Sequence, residues 1–300
     1  MNIQTPPSWR KGQTIFNFLE WLSEKGYDTK SVHEIFTSRE INNAMNPHGI
    51  TIRESRDSDE HPKSVAIIIG LDVTGSMGSV PEHLVKHGLP HMMDEIIKAG
   101  VPDPQVLFMG IGDHECDRSP LQAGQFESSD ELLDKWLMDT YLEGGGGGND
   151  GESYMLAWYF AARHTKIDCH EKRKEKGFLF TIGDEHNLPS IPGPVLEKLM
   201  GKGGQYGTLL NSSDLLEEAR KLYHVYHIHT TETYSGKREV VPQRWKQLMG
   251  DNCIVVQSSD HISGIIAEIV SGSNGSDSQT DDAESPESKP KDKPKEEEML

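Results

Sequence analysis

The sequence lacks the features that mark membrane-spanning, secreted and disulfide-bonded proteins. It has three cysteines, an odd number, and none of them forms a Cys-x-x-Cys pair. No run approaches the roughly 18 apolar residues that a membrane helix needs, and the first residues, MNIQTPPSWRKGQ, contain no apolar signal segment. These absences favour a protein without a membrane segment in a reducing compartment, so we expect a cytoplasmic location.

Positive charge is also scarce. Lys and Arg number 30 against 48 Asp and Glu, which gives a formal net charge of −18. Because non-specific binding to nucleic acid needs a basic surface, this balance argues against a nucleic-acid partner. Nine of the acidic residues lie after residue 270, together with four lysines and no aromatic residue. Such a composition predicts a disordered acidic and Lys-Pro tail over residues 271–300.

Apolar runs of strand length alternate with helical stretches through most of the chain. Strands are predicted in SVAIIIGLD from residue 64, QVLFMGIGD from 105, GFLFTIGDE from 177, HVYHIHT from 224 and NCIVVQSS from 252. Helices are predicted at 81–99, 129–142, 152–166, 211–222, 239–249 and 259–270. Continuous apolar strands that alternate with helices are typical of a doubly wound α/β fold, in which helices flank a mostly parallel central sheet.

The residues before this pattern are predicted to form an N-terminal helical extension over 1–60. Apolar residues recur at helical spacing in QTIFNFLEWLSEK (13–25) and SVHEIFTSREINNAM (31–45). The segment GITIRES, which begins at residue 49, is predicted to be a short edge strand. The α/β domain itself is expected over residues 61–270.

Oxygen-bearing side chains follow the predicted strands. Asp72, Thr74 and Ser76 alternate after the first strand, and Asp184 follows the strand that begins at residue 177. In open α/β sheets, ligands bind outside the carboxyl ends of the strands. Hydroxyls and carboxylates that converge there suit a hard divalent cation, Mg²⁺ first, with Mn²⁺ or Ca²⁺ as alternatives. A simple helix N-cap would also explain Ser, Thr or Asp in such a loop.

These residues resemble the metal-ion-dependent adhesion site (MIDAS) of von Willebrand factor A (VWA) domains. DVTGSMG, from residue 72, is similar to the Asp-x-[Ser/Thr]-x-Ser signature of that family, and TIGDEHN, from residue 181, is similar to its strand that ends in Thr-Asp-Gly. The resemblance covers residues 62–270. It implies a Rossmann-like VWA fold and recognition of a protein partner whose Asp or Glu completes the coordination of Mg²⁺. The metal ligands that it implies are Asp72, Thr74, Ser76 and Asp184.

The glycine-rich segment GGGGGND, residues 144–150, stands where the family has a second metal-site loop with a threonine. Gly148 takes the place of that threonine, so we expect the ligand from this loop to be Asn149, or Asp150 through a water molecule, with Ser153 as the alternative. Asn149 or Ser153 would leave the ion attractive to a partner's carboxylate, whereas Asp150 would add negative charge and weaken that attraction. A phosphate-binding loop is disfavoured because no Lys-Ser/Thr pair follows the glycines.

The resemblance implies an interaction module with no enzymatic activity of its own. Intracellular domains of this type, in bacteria and phages, often act beside AAA+ ATPases of the MoxR kind, so such an ATPase is an expected partner. A third possibility is the same fold with a metal site that has lost its function.

A metal-dependent hydrolase is the alternative from another class of function. GDHE, from residue 112, and GDEH, from residue 183, place Asp and His at two strand ends, as binuclear phosphoesterases do. The side chains available to such a site are Asp113, His114, Glu115, Asp117, Asp184, His186 and His227. We interpret His227 and His229, which share one face of a predicted strand, mainly as buried histidines with satisfied hydrogen bonds.

Overall fold

The computed structural model describes residues 36, 38–101, 103–144, 149–202, 204 and 206–276. Its strands are β1 (Arg53–Ser55), β2 (Ser64–Asp72), β3 (Asp103–Ile111), β4 (Leu121–Glu127), β5 (Gly151–Glu152), β6 (Thr165–Ile167), β7 (Gly177–Gly183), β8 (His186–Asn187), β9 (Ser190–Pro192), β10 (Leu209–Asn211), β11 (Tyr223–Thr230) and β12 (Cys253–Val256). Its helices are α1 (Val80–His83), α2 (Leu89–Lys98), α3 (Asp130–Met138), α4 (Met155–Arg163), α5 (Asp168–Arg173), α6 (Gly193–Met200), α7 (Ser212–Ala219), α8 (Val240–Met249) and α9 (Ile262–Ser276).

Six of these strands form the central sheet, in the order β12-β11-β7-β2-β3-β4. Neighbouring strands are parallel except at one edge, where β4 runs antiparallel to β3. Every residue of β2 and β7 is buried, because helices cover both faces of a parallel sheet. The fold is therefore mixed α/β, with a mostly parallel central sheet flanked by helices.

Two apolar cores lie on opposite faces of the sheet. Successive side chains of a strand point to opposite faces, so Ile67 and Ile68 belong to different cores. Ile68 shares its core with Trp158 of α4 and Trp245 of α8. Ile67 shares the other core with residues of α2 and α9, such as Ile266. The apolar runs seen in the sequence are thus explained by burial from both sides.

The predicted strands correspond to β2, β3, β7, β11 and β12, and each helical stretch predicted after residue 80 overlaps an observed helix. Strand β4 was not predicted. Its sequence, LQAGQFE, has two glutamines and a glycine, and it is held by antiparallel pairing with β3. A Cβ at Gly124 would lie 3.2 Å from the ring of Trp136, so the strand packs closely against α3.

The N-terminal extension departs from its prediction where the structure describes it. Residues 13–25 and 31–35 lie outside the described residues, but residues 38–45, predicted as helix, form bends and a turn. The side chain of Asn42 accepts a hydrogen bond from the backbone of Ala44, and such local bonds compete with helix formation. The predicted edge strand is β1, which pairs with β6 outside the central sheet.

The last helix, α9, continues to Ser276, six residues into the segment predicted as tail. Residues 277–300 lie outside the described residues, as do Gly145 to Gly148 of the glycine run. Within the described part of the chain, no helix combines the length and apolar character needed to cross a membrane.

We predict that Ile68→Ala lowers the free energy of unfolding by about 2–5 kcal/mol, because it leaves a cavity in the middle of β2. Urea denaturation measures the loss. Val255→Ala, in the edge strand β12, is the matched control: Val255 is 40% exposed, and its truncation should cost less than about 1 kcal/mol. Equal losses in the two variants would contradict the assignment of the core.

Candidate metal centre

The carboxyl ends of β2 and β7 bring Asp72 and Asp184 to the same edge of the sheet. The two strands pair in parallel with Leu71 beside Ile182, so the residues that follow each strand are neighbours. Asp72 ends β2, Asp184 comes directly after β7, and both carboxylates are buried. The parallel register alone therefore explains why residues 112 positions apart in the chain meet.

A continuous chain of hydrogen bonds joins the four residues predicted as metal ligands. Asp72 Oδ1 accepts from the backbone N–H of Thr74 at 3.0 Å and from its hydroxyl at 2.7 Å. Thr74 Oγ1 lies 3.1 Å from Ser76 Oγ, which donates to Asp184 Oδ1 at 2.9 Å. The structure thus gathers two hydroxyls and two carboxylates from two separate loops.

Helix capping does not account for these hydroxyls. Thr74 precedes the 3-10 turn Gly75–Met77, but its side chain makes no capping hydrogen bond to that turn. Ser79 likewise makes none at the start of α1. The turn is completed by Gly78, whose φ of 53° is a left-handed conformation that favours glycine. The loop therefore directs the oxygens of Thr74 and Ser76 toward the carboxylates.

Tyr154 forms a hydrogen bond with the candidate site, although no motif in the sequence had indicated this residue. Its hydroxyl donates to Asp72 Oδ2 at 2.7 Å, and burial keeps its pKa well above the usual value, so it remains a donor. A Cβ at Gly183 would lie 1.9 Å from this hydroxyl. Glycine at the end of β7 is therefore what admits the tyrosine.

Glu152 is a second residue that the sequence analysis missed. Strand β5 pairs with β8, which follows β7, and Ser153 donates its N–H to the carbonyl of Gly112, which follows β3. Because β2 lies between β7 and β3, these bonds hold Glu152 beside the end of β2. Its side chain is 6% exposed, and no group in the described part of the chain forms a hydrogen bond with Oε2. The available signal was its place three residues before the start of α4, in the loop where the resemblance implies a metal ligand.

The electrostatics of this edge are unfavourable without a cation. Burial raises the pKa of Asp72 to about 7, and the charge of Asp184 adds to the effect. Burial also raises the pKa of Glu152 far above its usual range, and the charge of Asp72 is the next cause. Among the described residues, no Lys, Arg or His forms an ion pair with any of these three carboxylates. Each buried charge therefore disfavours the others.

The donor set fits a hard divalent cation. Carboxylate and hydroxyl oxygens are the ligands that Mg²⁺ and Ca²⁺ take from proteins, and the unpartnered Oε2 of Glu152 adds one more oxygen. Among the described residues, no group of three or more His, Cys, Asp and Glu side chains is spaced to hold a metal ion. Asp72, Glu152 and Asp184 are therefore not spaced to ligate one ion as three carboxylates, and the candidate site depends on the hydroxyls of Thr74 and Ser76 for its donor set.

Two of the residues predicted from the glycine-rich loop make other contacts. Asn149 Nδ2 donates to Asp113 Oδ2 at 2.7 Å and to Glu115 Oε2 at 2.9 Å. Asp150 is exposed and forms an ion pair with Arg238 at 3.0 Å. Neither side chain has a hydrogen bond to the four residues at the strand ends, whereas Glu152 of the same loop is buried beside them.

Ser153, the third residue predicted from this loop, contacts His114. Its Oγ accepts the backbone N–H of His114 at 2.9 Å and lies 2.7 Å from the Nδ1 atom of that histidine. His186, also named for the hydrolase alternative, is buried, and burial lowers its pKa to about 4. No hydrogen bond in the described chain joins Asp113 to Asp184 or His114 to His186.

His227 and His229 are buried, as their strand pattern indicated. His227 stacks on Trp245 with a centroid distance of 3.5 Å, and its Nδ1 lies 2.9 Å from Thr181 Oγ1. His229 Nε2 lies 2.9 Å from the carbonyl oxygen of Gly236. One ring nitrogen of each histidine has no partner, so the expectation of fully satisfied hydrogen bonds was wrong in that respect.

The raised pKa of Asp72 predicts that the free energy of unfolding of the metal-free chain depends on pH. Because the folded state holds this proton up to about pH 7 and the unfolded state releases it near pH 4, the contribution of Asp72 to stability falls as pH rises between those values. In EDTA, the unfolding free energy of the wild type relative to Asp72→Asn should fall by about 1–3 kcal/mol between pH 5 and 7. Urea unfolding measures it.

Asp251→Asn is the control for this experiment. Asp251 is exposed in the turn before β12, at the amino ends of the parallel strands, whereas the candidate site lies at their carboxyl ends. The stability of this variant relative to the wild type should stay constant over the same pH range. If the difference in unfolding free energy between the wild type and Asp72→Asn also stayed constant with pH, burial would not raise the pKa of Asp72.

No family model matches the chain, and no curated protein is similar to it. Solved structures similar to it include the pilus adhesin SpaC from Lactobacillus rhamnosus GG in its open conformation, with a TM-score of 0.45 and 12% identity, over 72% of this chain and 31% of that chain. Another is proximal thread matrix protein 1 from the mussel byssus, with a TM-score of 0.43 and 10% identity, over 69% of this chain and 47% of that chain. The chain spans less than half the length of these proteins, and likeness at this level carries no functional argument.

Proposed function

We propose that the chain is a VWA-like, Mg²⁺-dependent protein-recognition module. The observation that carries this proposal is the hydrogen-bonded chain from Asp72 through Thr74 and Ser76 to Asp184. It gathers at one sheet edge the oxygens that the MIDAS resemblance requires. In this proposal, the doubly wound domain covers residues 61–270 and the site serves binding, with no catalytic role.

Each residue of the site has a distinct part in holding the ion. The hydroxyls of Thr74 and Ser76 are neutral ligands, so they leave the charge of the ion undiminished. Asp184 supplies a carboxylate, and Asp72, gripped by Thr74 and Tyr154, orients the hydroxyls and the water shell. When bound, the ion supplies a positive centre that a carboxylate from a partner protein completes.

Glu152 is our proposal for the residue that replaces the missing threonine of the second loop, in place of Asn149, Asp150 or Ser153. It is buried, unpartnered at Oε2 and coupled electrostatically to Asp72. A third carboxylate holds a divalent ion more firmly but reduces the positive charge that a partner's carboxylate experiences. Partner binding would then rely on contacts outside the ion to a greater extent.

The resemblance alone suggests the setting of this module. A MoxR-type AAA+ ATPase is the partner to test first, and the cytoplasm is the compartment in which to look for it.

We predict that the full chain binds Mg²⁺ and that Asp72→Asn lowers the affinity by more than about tenfold, because it removes the carboxylate that orients the site. Isothermal titration calorimetry measures this affinity. Asp251→Asn should bind Mg²⁺ like the wild type. Absence of Mg²⁺ binding by the wild type at millimolar concentrations would favour a site that has lost its function.

Partner capture tests the functional half of the proposal. Wild type and Asp251→Asn, used as baits with Mg²⁺ present, should retain the same protein, and EDTA or Asp72→Asn should release it. The competing hypothesis is tested in parallel with a phosphoester substrate and Mn²⁺. Turnover that persists through purification and disappears in the His114→Ala and His186→Ala variants would replace our proposal with the hydrolase.

A further prediction separates the candidates in the second loop. Glu152→Gln should weaken Mg²⁺ binding by at least about tenfold, or 1.4 kcal/mol, since it removes a buried negative ligand. Asp150→Asn should change the affinity by less than about twofold, because Asp150 is exposed and paired with Arg238. The reverse order of effects in calorimetry would assign the ligand to Asp150.

A further inference from the structure

The loop between β11 and α8, residues 231–239, lies at the same sheet edge as the candidate metal centre. Strand β11 is the neighbour of β7 and runs parallel to it, so its carboxyl end emerges beside Asp184. The position of the loop makes it the wall of the site on the side away from β3.

The loop has a defined internal structure. Gly236 donates its N–H to Thr233 Oγ1 at 3.0 Å, and its carbonyl oxygen lies 2.9 Å from His229 Nε2. A Cβ at Gly236 would lie 1.9 Å from the carbonyl oxygen of Thr230, so the chain folds tightly back on the strand. At its far end, Arg238 forms ion pairs with Asp150 and Glu185. The loop is therefore attached to β11 at one end and to Asp150 and Glu185 at the other.

Thr233 joins this loop directly to the metal centre. Its hydroxyl donates to Asp184 Oδ2 at 2.5 Å, while Asp184 Oδ1 accepts from Ser76 at 2.9 Å. Both oxygens of the carboxylate are therefore engaged, one by a proposed ligand and the other by the 231–239 loop. An ion bound at the Asp184 carboxylate would therefore act on the same group that accepts the hydrogen bond of Thr233.

The residue that follows Thr233 is the most exposed large apolar side chain in the described part of the chain. Tyr234 is 90% exposed, although single exposed apolar residues are common on protein surfaces. What distinguishes Tyr234 is its covalent link to a residue that is hydrogen-bonded to the metal centre. Tyrosine is also enriched among the residues that dominate binding at protein interfaces.

We propose that Thr233 is a positioning residue for the metal centre, and that through it the 231–239 loop and Tyr234 respond to the ion. This inference rests on the proposed function, because it requires Mg²⁺ at Asp184. Hydrogen bonds from outside the ligand shell orient metal-bound carboxylates, and their loss costs about 10–100-fold in affinity. The surface at Tyr234 therefore differs between the ion-bound and the ion-free chain.

The test uses Mg²⁺ alone as the probe and the full chain labelled with 3-fluorotyrosine. The ¹⁹F resonances of Tyr154 and Tyr234, two of the eight tyrosines, are assigned with the Tyr154→Phe and Tyr234→Phe variants. Tyr154 is hydrogen-bonded to Asp72, so its resonance reports arrival of the ion. Tyr234 reports the loop. In the wild type, we expect both resonances to shift with the midpoint that calorimetry gives.

Thr233→Val and Thr233→Ser form the matched pair. Valine has nearly the shape of threonine without the hydroxyl, so Mg²⁺ affinity should fall at least about tenfold. At saturating Mg²⁺, the Tyr154 resonance should still shift while the Tyr234 resonance stays in place. Serine retains the hydroxyl, so Thr233→Ser should restore both shifts and an affinity within about threefold of the wild type.

The outcomes separate this inference from the proposed function. A shift of Tyr154 without a shift of Tyr234 in the wild type would overturn the coupling and leave the metal site in place. Equal Mg²⁺ affinities in Thr233→Val and wild type would overturn the positioning role. No heat and no shift in the wild type would remove the metal site, and this inference with it.

Discussion

The parallel pairing of β2 with β3 and β7 is the constraint on which the candidate metal centre depends. It aligns the ends of three strands at one edge, so the residues that follow them meet although they lie far apart in the chain. Both faces of β2 are covered, so Asp72 at its carboxyl end is the charged group that this strand contributes to the site. The neighbouring loops complete this edge: Tyr154, which follows β5, is bonded to Asp72, and Thr233 of the 231–239 loop is bonded to Asp184.

The burial of carboxylates at this edge has an energetic consequence. Asp72, Glu152 and Asp184 are buried, and among the described residues their hydrogen-bond donors are hydroxyl groups and the backbone N–H of Thr74. Burial disfavours the ionised forms of Asp72 and Glu152, and it raises the pKa of both side chains. A bound divalent cation would reverse that preference, because it compensates the negative charge that the fold concentrates there. Stability and ion binding are therefore linked through the same few side chains.

The parts of the fold that were predicted correctly are those with a local signal. Apolar runs without alternation predicted β2 and β7, because burial on both faces requires that composition. Strand β4 has no such run, and its pairing with β3 determines its conformation. The helix predicted through residues 38–45 competes with side-chain to backbone bonds such as that of Asn42. The helical spacing of apolar residues carries no information about such side-chain hydrogen bonds.

The candidate site shows the same division. The order of residues alone grouped Asp72, Thr74 and Ser76 in one loop and indicated a place for Asp184, because strand ends in an open sheet share an edge. Only the tertiary structure showed that Glu152 of the second loop is buried near Asp72, and only it brought Tyr154 and Thr233 to the two aspartates. These contacts join residues 49 to 82 positions apart in the chain. Burial and hydrogen-bond geometry over such separations depend on the packing of whole elements, which no local pattern of residue types encodes.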